Sequence, residues 1–204
     1  MHTHRLLVFA VLLTLATPLI SQAQSNKPYG GHFGLKVGAN FNRISISGTT
    51  ANIPKQRLDF TLGGMYRYRI NKFVAQPEVL LSMKGATFQA EVAGGNRSTT
   101  KIAYPYVSVP LLLGYIPTEG LTIQAGPEFS YALTAGQSGG PGAKTDVGAV
   151  LGIHYDFLDM ADKFSLHLRY IYGFNNVSPE AGANYYNRVL QAAIVYNLYP
   201  KKKK

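Results

Sequence analysis

The sequence predicts an all-β protein, an eight-stranded antiparallel up-and-down transmembrane β-barrel. Three observations carry this expectation. First, apolar residues alternate with polar residues or glycine, as in Phe33-Gly34-Leu35-Lys36-Val37-Gly38-Ala39-Asn40-Phe41-Asn42. Period 2 is the geometry of a strand with one apolar and one polar face. Second, the pattern recurs eight times. Third, the connections alternate short and long, which gathers the long loops at one end and leaves both chain ends at the other, as in outer-membrane barrels.

A leader precedes the repeats. His4 and Arg5 give a basic start, Leu6 to Leu15 is apolar apart from Thr14, Pro18 breaks the run, and Ser21-Gln22-Ala23 supplies small residues for cleavage. This reads as a secretory signal peptide over residues 1–23. A short lead over 24–31, a barrel domain over 32–199 and a basic tail over 200–204 follow. The chain contains no cysteine, which excludes disulfides, thiolate metal sites and a lipidated N-terminal cysteine. Beyond the leader nothing approaches the roughly 18 consecutive apolar residues of a helical span. The net charge is +10 over 204 residues. Lys201 to Lys204 hold four of those charges, and an exported chain is not expected to meet nucleic acid.

Strands are predicted near 32–43, 58–70, 73–86, 102–116, 120–133, 146–157, 163–174 and 187–199. Short turns fall at Asn71-Lys72, at 117–119 and at 158–162. Long loops fall at 44–57, 87–101, 134–145 and 175–186, where Gly, Ser, Asn and Pro collect. Pro77, Pro110 and Pro127 lie inside predicted strands and cannot donate to a ladder, so bulges or broken pairing are expected there.

The two faces differ in kind. One is aliphatic and aromatic, with Tyr toward the strand ends. The other is rich in Gly and carries charges of both signs. Gly suits a narrow, strongly curved lumen, and Tyr at strand ends suits an interfacial girdle. The apolar face is therefore expected outside and the polar face inside, the reverse of a soluble lipocalin-like barrel. Side chains fill a barrel of eight strands, so a passive pore is not expected.

Several strands resemble those of the PorT-type outer-membrane β-barrel family. The similar segments are Gly34 to Asn40, Gln76-Pro77-Glu78-Val79-Leu80-Leu81-Ser82-Met83-Lys84-Gly85, Tyr106 to Tyr115, Gly126-Pro127-Glu128-Phe129-Ser130-Tyr131 and Arg169-Tyr170-Ile171-Tyr172-Gly173. The resemblance covers essentially the whole chain after the leader. It implies an eight-stranded outer-membrane barrel and says little about activity. Two departures stand out. Ser108 and Gly114 replace the Glu and Lys frequent in the family, and Pro200 with four lysines follows the last strand, where the family tends to stop at an aromatic residue.

Candidate chemistry lies on the polar face. Pairing Phe157 with Phe164 sets His154 opposite His167 and Asp156 opposite Ser165. Two histidines and a carboxylate could hold Zn²⁺ or Cu²⁺; a cross-strand polar pair is the preferred reading, with no metal and no cofactor. Tight hairpins would oppose Asp59 to Lys84, Met65 to Glu78 and Ser108 to Glu128. With Lys36, Arg67 and Arg169 these charges read as a lumenal ion-pair network. Ser165, His167 and Asp156 hold the residue types of a hydrolase triad without a nucleophile elbow, and no catalytic residue is assigned. The expected protein is a non-enzymatic, structural or interaction outer-membrane barrel acting through its external loops; a small-solute transporter or ligand-binding barrel using the lumen or loop mouth is the alternative. Its expected partners are outer-membrane lipids, periplasmic chaperones, the barrel-assembly machinery and a protein docked on the loops.

Overall fold

The computed structural model describes residues 29–50, 52–91, 97–137, 139–158 and 161–199. The leader, the tail and the first part of the lead lie outside the described residues. Nine strands form: β1 (Tyr29–Gly48), β2 (Ile53–Lys55), β3 (Arg57–Ile70), β4 (Phe73–Glu91), β5 (Arg97–Thr118), β6 (Leu121–Ala132), β7 (Thr145–Asp156), β8 (Phe164–Gly173) and β9 (Ala183–Leu198). Eight of them close a ring in chain order, sealed where β1 pairs with β9 along Phe33↔Leu198 to Gly48↔Ala183. The ninth, β2, is a three-residue segment on the end of β4. The eight-stranded up-and-down barrel is therefore the fold.

The face assignment holds. Phe33, Val37, Leu58, Phe60, Val79, Leu113, Leu151 and Leu190 are exposed on the outer wall, whereas Lys36, Glu78, Lys84, Glu128, His154, His167 and Arg169 are buried in the lumen. Along β1 the outward series Phe33, Leu35, Val37, Phe41 ends at Arg43. Ten residues at about 3.3 Å each, tilted by about 40°, rise ~25 Å, the height of the apolar band of an outer-membrane barrel.

Local chemistry sets the turns. Asn71 takes a left-handed φ of 54° between Ile70 and its partner Phe73, a conformation that Asn tolerates better than most residues. Gly120 has φ 83° in the β5–β6 turn, so that turn is Glu119-Gly120 and not 117–119. A register shift follows between Tyr115 and Thr118, and it moves Ser108 opposite Ser130 instead of Glu128.

The prolines interrupt the ladders as expected. The β3–β4 pairing skips from Met65↔Glu78 to Tyr68↔Ala75, flanking Pro77. The β4–β5 pairing skips from Pro77↔Leu111 to Leu80↔Ser108, and β5–β6 from Pro110↔Glu128 to Leu113↔Ala125. Each gap begins beside a residue with no N–H to give. At the β5–β6 gap, a Cβ on Gly126 would stand 2.0 Å from the Leu111 carbonyl oxygen, so only glycine fits there.

Two expected loops are mostly strand. β4 and β5 run on past the apolar band, paired as far as Glu91↔Arg97, and β1 continues to Gly48. Ser98, Thr99, Thr100 and Lys101 are all exposed. Beyond the apolar band Ser98 to Lys101 meet water on both faces, while the inward Ile44 and Phe88 are apolar and buried, so the apolar-out, polar-in contrast vanishes while the β-propensity of Thr persists. β1 also begins at Tyr29, inside the stretch expected as a lead, because Tyr29 to Gly31 pair with the end of β3.

Candidate functional site

The site is the polar cluster of the lumen. Inward positions on β1, β3, β4, β6, β7 and β8 supply it, because period 2 sends every second residue inside. Lys36 Nζ lies 3.0 Å from Glu78 Oε2 and 2.9 Å from His167 Nδ1. Arg169 Nη1 donates to Glu78 Oε2 at 2.9 Å, and its Nη2 lies 3.6 Å from Glu128 Oε2. Lys84 Nζ lies 3.0 Å from Glu128 Oε1 and 3.5 Å from Asp146 Oδ2. Toward the turn end, Arg67 Nη2 lies 3.6 Å from Asp156 Oδ2 and donates to Thr122 Oγ1 at 2.6 Å. Gln76 joins the two halves: its Nε2 donates to Glu78 Oε1 at 2.8 Å, and its Oε1 accepts from Arg67 Nη1 at 3.2 Å.

The cluster is charge-balanced. Lys36, Arg67, Lys84 and Arg169 face Glu78, Glu128, Asp146 and Asp156. A buried charge costs several kcal/mol unless it is paired, and every one of these has an opposite partner within 4 Å. Gly152 makes room for the largest member: a Cβ there would stand 2.6 Å from the Arg169 Cβ.

Six of the seven residues expected in the lumenal network meet in this cluster. Asp59 does not. It accepts from Arg57 Nε at 2.8 Å and from Asn42 Nδ2 at 2.7 Å, while Lys84 turns to Glu128 and Asp146. The β3–β4 ladder ends at Thr61↔Ser82, so the hairpin register that opposed Asp59 to Lys84 does not extend that far. Sequence reading left Asp146 out of the network. Its place on the polar face was legible; its reach to Lys84, three strands away, was not.

His154 does oppose His167, with ring centroids 5.3 Å apart. His154 Nε2 pairs with Asp156 Oδ1 at 3.1 Å, and the Lys36 ammonium occupies His167 Nδ1. No group of three or more potential ligands assembles among the described residues. Ser165 Oγ donates to Asp156 Oδ1 at 2.6 Å. That carboxylate thus joins hydroxyl and imidazole, whereas a triad needs the imidazole between hydroxyl and carboxylate.

An apolar cluster lies at the long-loop end of the barrel. Ile44, Phe88, Tyr104, Tyr106 and Tyr185 pack there with Val177, a loop residue. Phe88 and Tyr185 stack at 5.6 Å. Backbone bonds from Gly142 N to Val177 O and from Val177 N to Tyr185 O tie the loops across it.

Comparison with solved structures finds several similar chains. Neisserial surface protein A is similar at TM-score 0.50 and 14% identity, covering 83% of this chain and 99% of that one. AlkL, an outer membrane protein solved in lipid bilayers, is similar at TM-score 0.47 and 14% identity, covering 90% and 97%. Ail, the attachment invasion locus protein of Yersinia pestis, is similar at TM-score 0.41 and 14% identity, covering 81% and 99%. At 14% identity the likeness to Neisserial surface protein A is one of fold. No curated protein matches the sequence. Residues 22–178 match the family described as outer membrane protein beta-barrel domain, and with most of its length inside that match the chain belongs to this family of outer-membrane barrels.

Proposed function

We infer that this protein is a sealed, non-enzymatic outer-membrane barrel with a structural or interaction role. The observation that carries the reading is the salt bridge from Arg169 on β8 to Glu78 on β4. Those strands stand on opposite walls, four steps apart by the path β4–β3–β1–β9–β8. Side chains that meet across the full width of a lumen obstruct it, as do the buried polar side chains packed around them. The packed mouth above them acts in the same sense.

Export through a cleaved leader fits the first 23 residues, and the resemblance of the strand motifs supports membership of the PorT-type branch. Lipids cover the apolar wall, and periplasmic chaperones with the barrel-assembly machinery deliver the chain. A protein partner docks on the projecting β4–β5 hairpin, whose backbone groups and exposed Ser98 to Lys101 stand clear of the membrane.

Planar-bilayer recording of the pure, refolded protein tests this. The expected result is no steady conductance. Steady single-channel steps would overturn the sealed reading and favour a small-solute transporter.

A further inference from the structure

The outer wall carries a second feature, at the external edge of the apolar band. The β1–β3 ladder stops at Asn42↔Arg57. Above it β1 pairs only with β9, while β2 pairs with β4. A groove of about 420 Å³ lies beside this parting, lined by Arg43, Ser45, Pro54, Tyr170 and Arg188 among others.

Arg43 and Arg188 are direct cross-strand partners on β1 and β9. Both continue the outward-facing series. Arg43 follows Phe41, and Arg188 is the next outward residue above Leu190. Like charges opposite one another on a sheet repel, yet neither guanidinium has a carboxylate partner among the described residues. Arg188 is nevertheless held in place. Its Nη1 donates to Gly173 O at 2.7 Å and to Asn187 O at 2.9 Å, and its guanidinium lies 3.5 Å from the centroid of the Tyr172 ring. Its Nε and Nη2 have no partner among the described residues. Lys55, next in the chain to Pro54, is exposed at the same end of the barrel.

We propose that Arg43 and Arg188 bind the phosphate of an outer-leaflet lipid, whose acyl chain lies down the wall along Phe41, Leu190 and Tyr170. Three arguments select this occupant. A phosphate oxyanion relieves the repulsion of two unpaired cations set one strand spacing apart. Guanidinium forks match phosphate oxygens and form charge-assisted bonds with them. The pair also sits where apolar wall gives way to polar wall, the depth of a lipid headgroup. Stacking of Arg188 on Tyr172 lowers the cost of ordering its side chain. The proposal rests on the apolar face being in lipid and the loops outside, as inferred above.

Native mass spectrometry of the refolded full chain in detergent, titrated with phosphatidic acid, tests it. The wild type is expected to retain one phosphatidic acid per barrel in preference to phosphatidylcholine. Arg43→Gln combined with Arg188→Gln is expected to weaken that binding at least tenfold, and Arg43→Gln alone, at an exposed position, several-fold. A heat-dependent shift on electrophoresis verifies that each variant has folded. Equal retention by wild type and either variant would overturn the proposal. So would displacement of the lipid by inorganic phosphate at matched concentration, which would make this a free-anion site. Wild-type protein that does not insert into phosphatidylcholine vesicles defeats the membrane reading as well; protein that inserts but binds alike without the arginines defeats this proposal alone.

Discussion

Arg169 and Glu78 lie 91 residues apart in the chain and on opposite walls of the barrel, and their side chains meet at 2.9 Å. Arg67 and Asp156 repeat the relationship nearer the turn end, from β3 to β7 at 3.6 Å. Both bridges exist because a ring of eight strands is narrow enough for two long side chains to span it.

Glu78 is the hub of the cluster, taking Lys36 and Arg169 together. Glu78→Gln removes its charge and leaves Lys36 buried without its carboxylate and Arg169 with Glu128 alone. The expected loss is about 3–5 kcal/mol, read as a lower urea midpoint for the barrel folded in lipid vesicles. A midpoint within error of wild type would mean that water reaches these groups.

Truncating the bridge on both walls gives a different result. The double variant Glu78→Ala with Arg169→Ala removes the crossing side chains and leaves Lys36 without its carboxylate. Planar-bilayer recording is expected to show brief conductance steps in this variant and none in the wild type. Identical silence in both would assign the seal to the remaining Arg67–Asp156 bridge and the apolar cluster around Phe88 and Tyr185.

The outer wall provides a test of orientation. Val37 is 62% exposed, midway along the outward series of β1. Val37→Arg is expected to cost about 2–4 kcal/mol in vesicles, the penalty for a cation on the lipid face near the bilayer midplane. The same change on a water-facing wall would cost almost nothing, so an unchanged urea midpoint would contradict insertion.

The histidine pair is expected to leave zinc unbound. Asp156 engages His154 Nε2, the Lys36 ammonium faces His167 Nδ1, and Arg67 and Arg169 add positive charge around the pair. Calorimetric titration of the refolded barrel with Zn²⁺ should show no heat beyond dilution. Saturable heat that disappears in His154→Ala would reinstate a metal site.

Strand number, closure order and facing were legible in the sequence because each rests on period 2, a local property. The His154–His167 pair was legible for the same reason: one turn and simple counting reach it. Counting failed at Ser108, where Gly120 and the irregularity between Tyr115 and Thr118 move the register before the strand reaches the lumen. It failed again at Asp59, where the ladder ends early. A register error of two residues is small on the page, but it changes which side chain Ser108 meets.

The sequence by itself determined that this is a barrel, how many strands it has, and which residues face lipid and which face the lumen. Only the tertiary structure decided which of those residues touch. Partners such as Arg169 and Glu78, or Lys84 and Asp146, lie several strands apart, so no ladder relates them. Their meeting depends on closure between β1 and β9, on the stagger each hairpin adds around the ring, and on the barrel's width. Closure also sets Arg43 beside Arg188, from opposite ends of the chain, and so forms the cationic pair on the outer wall.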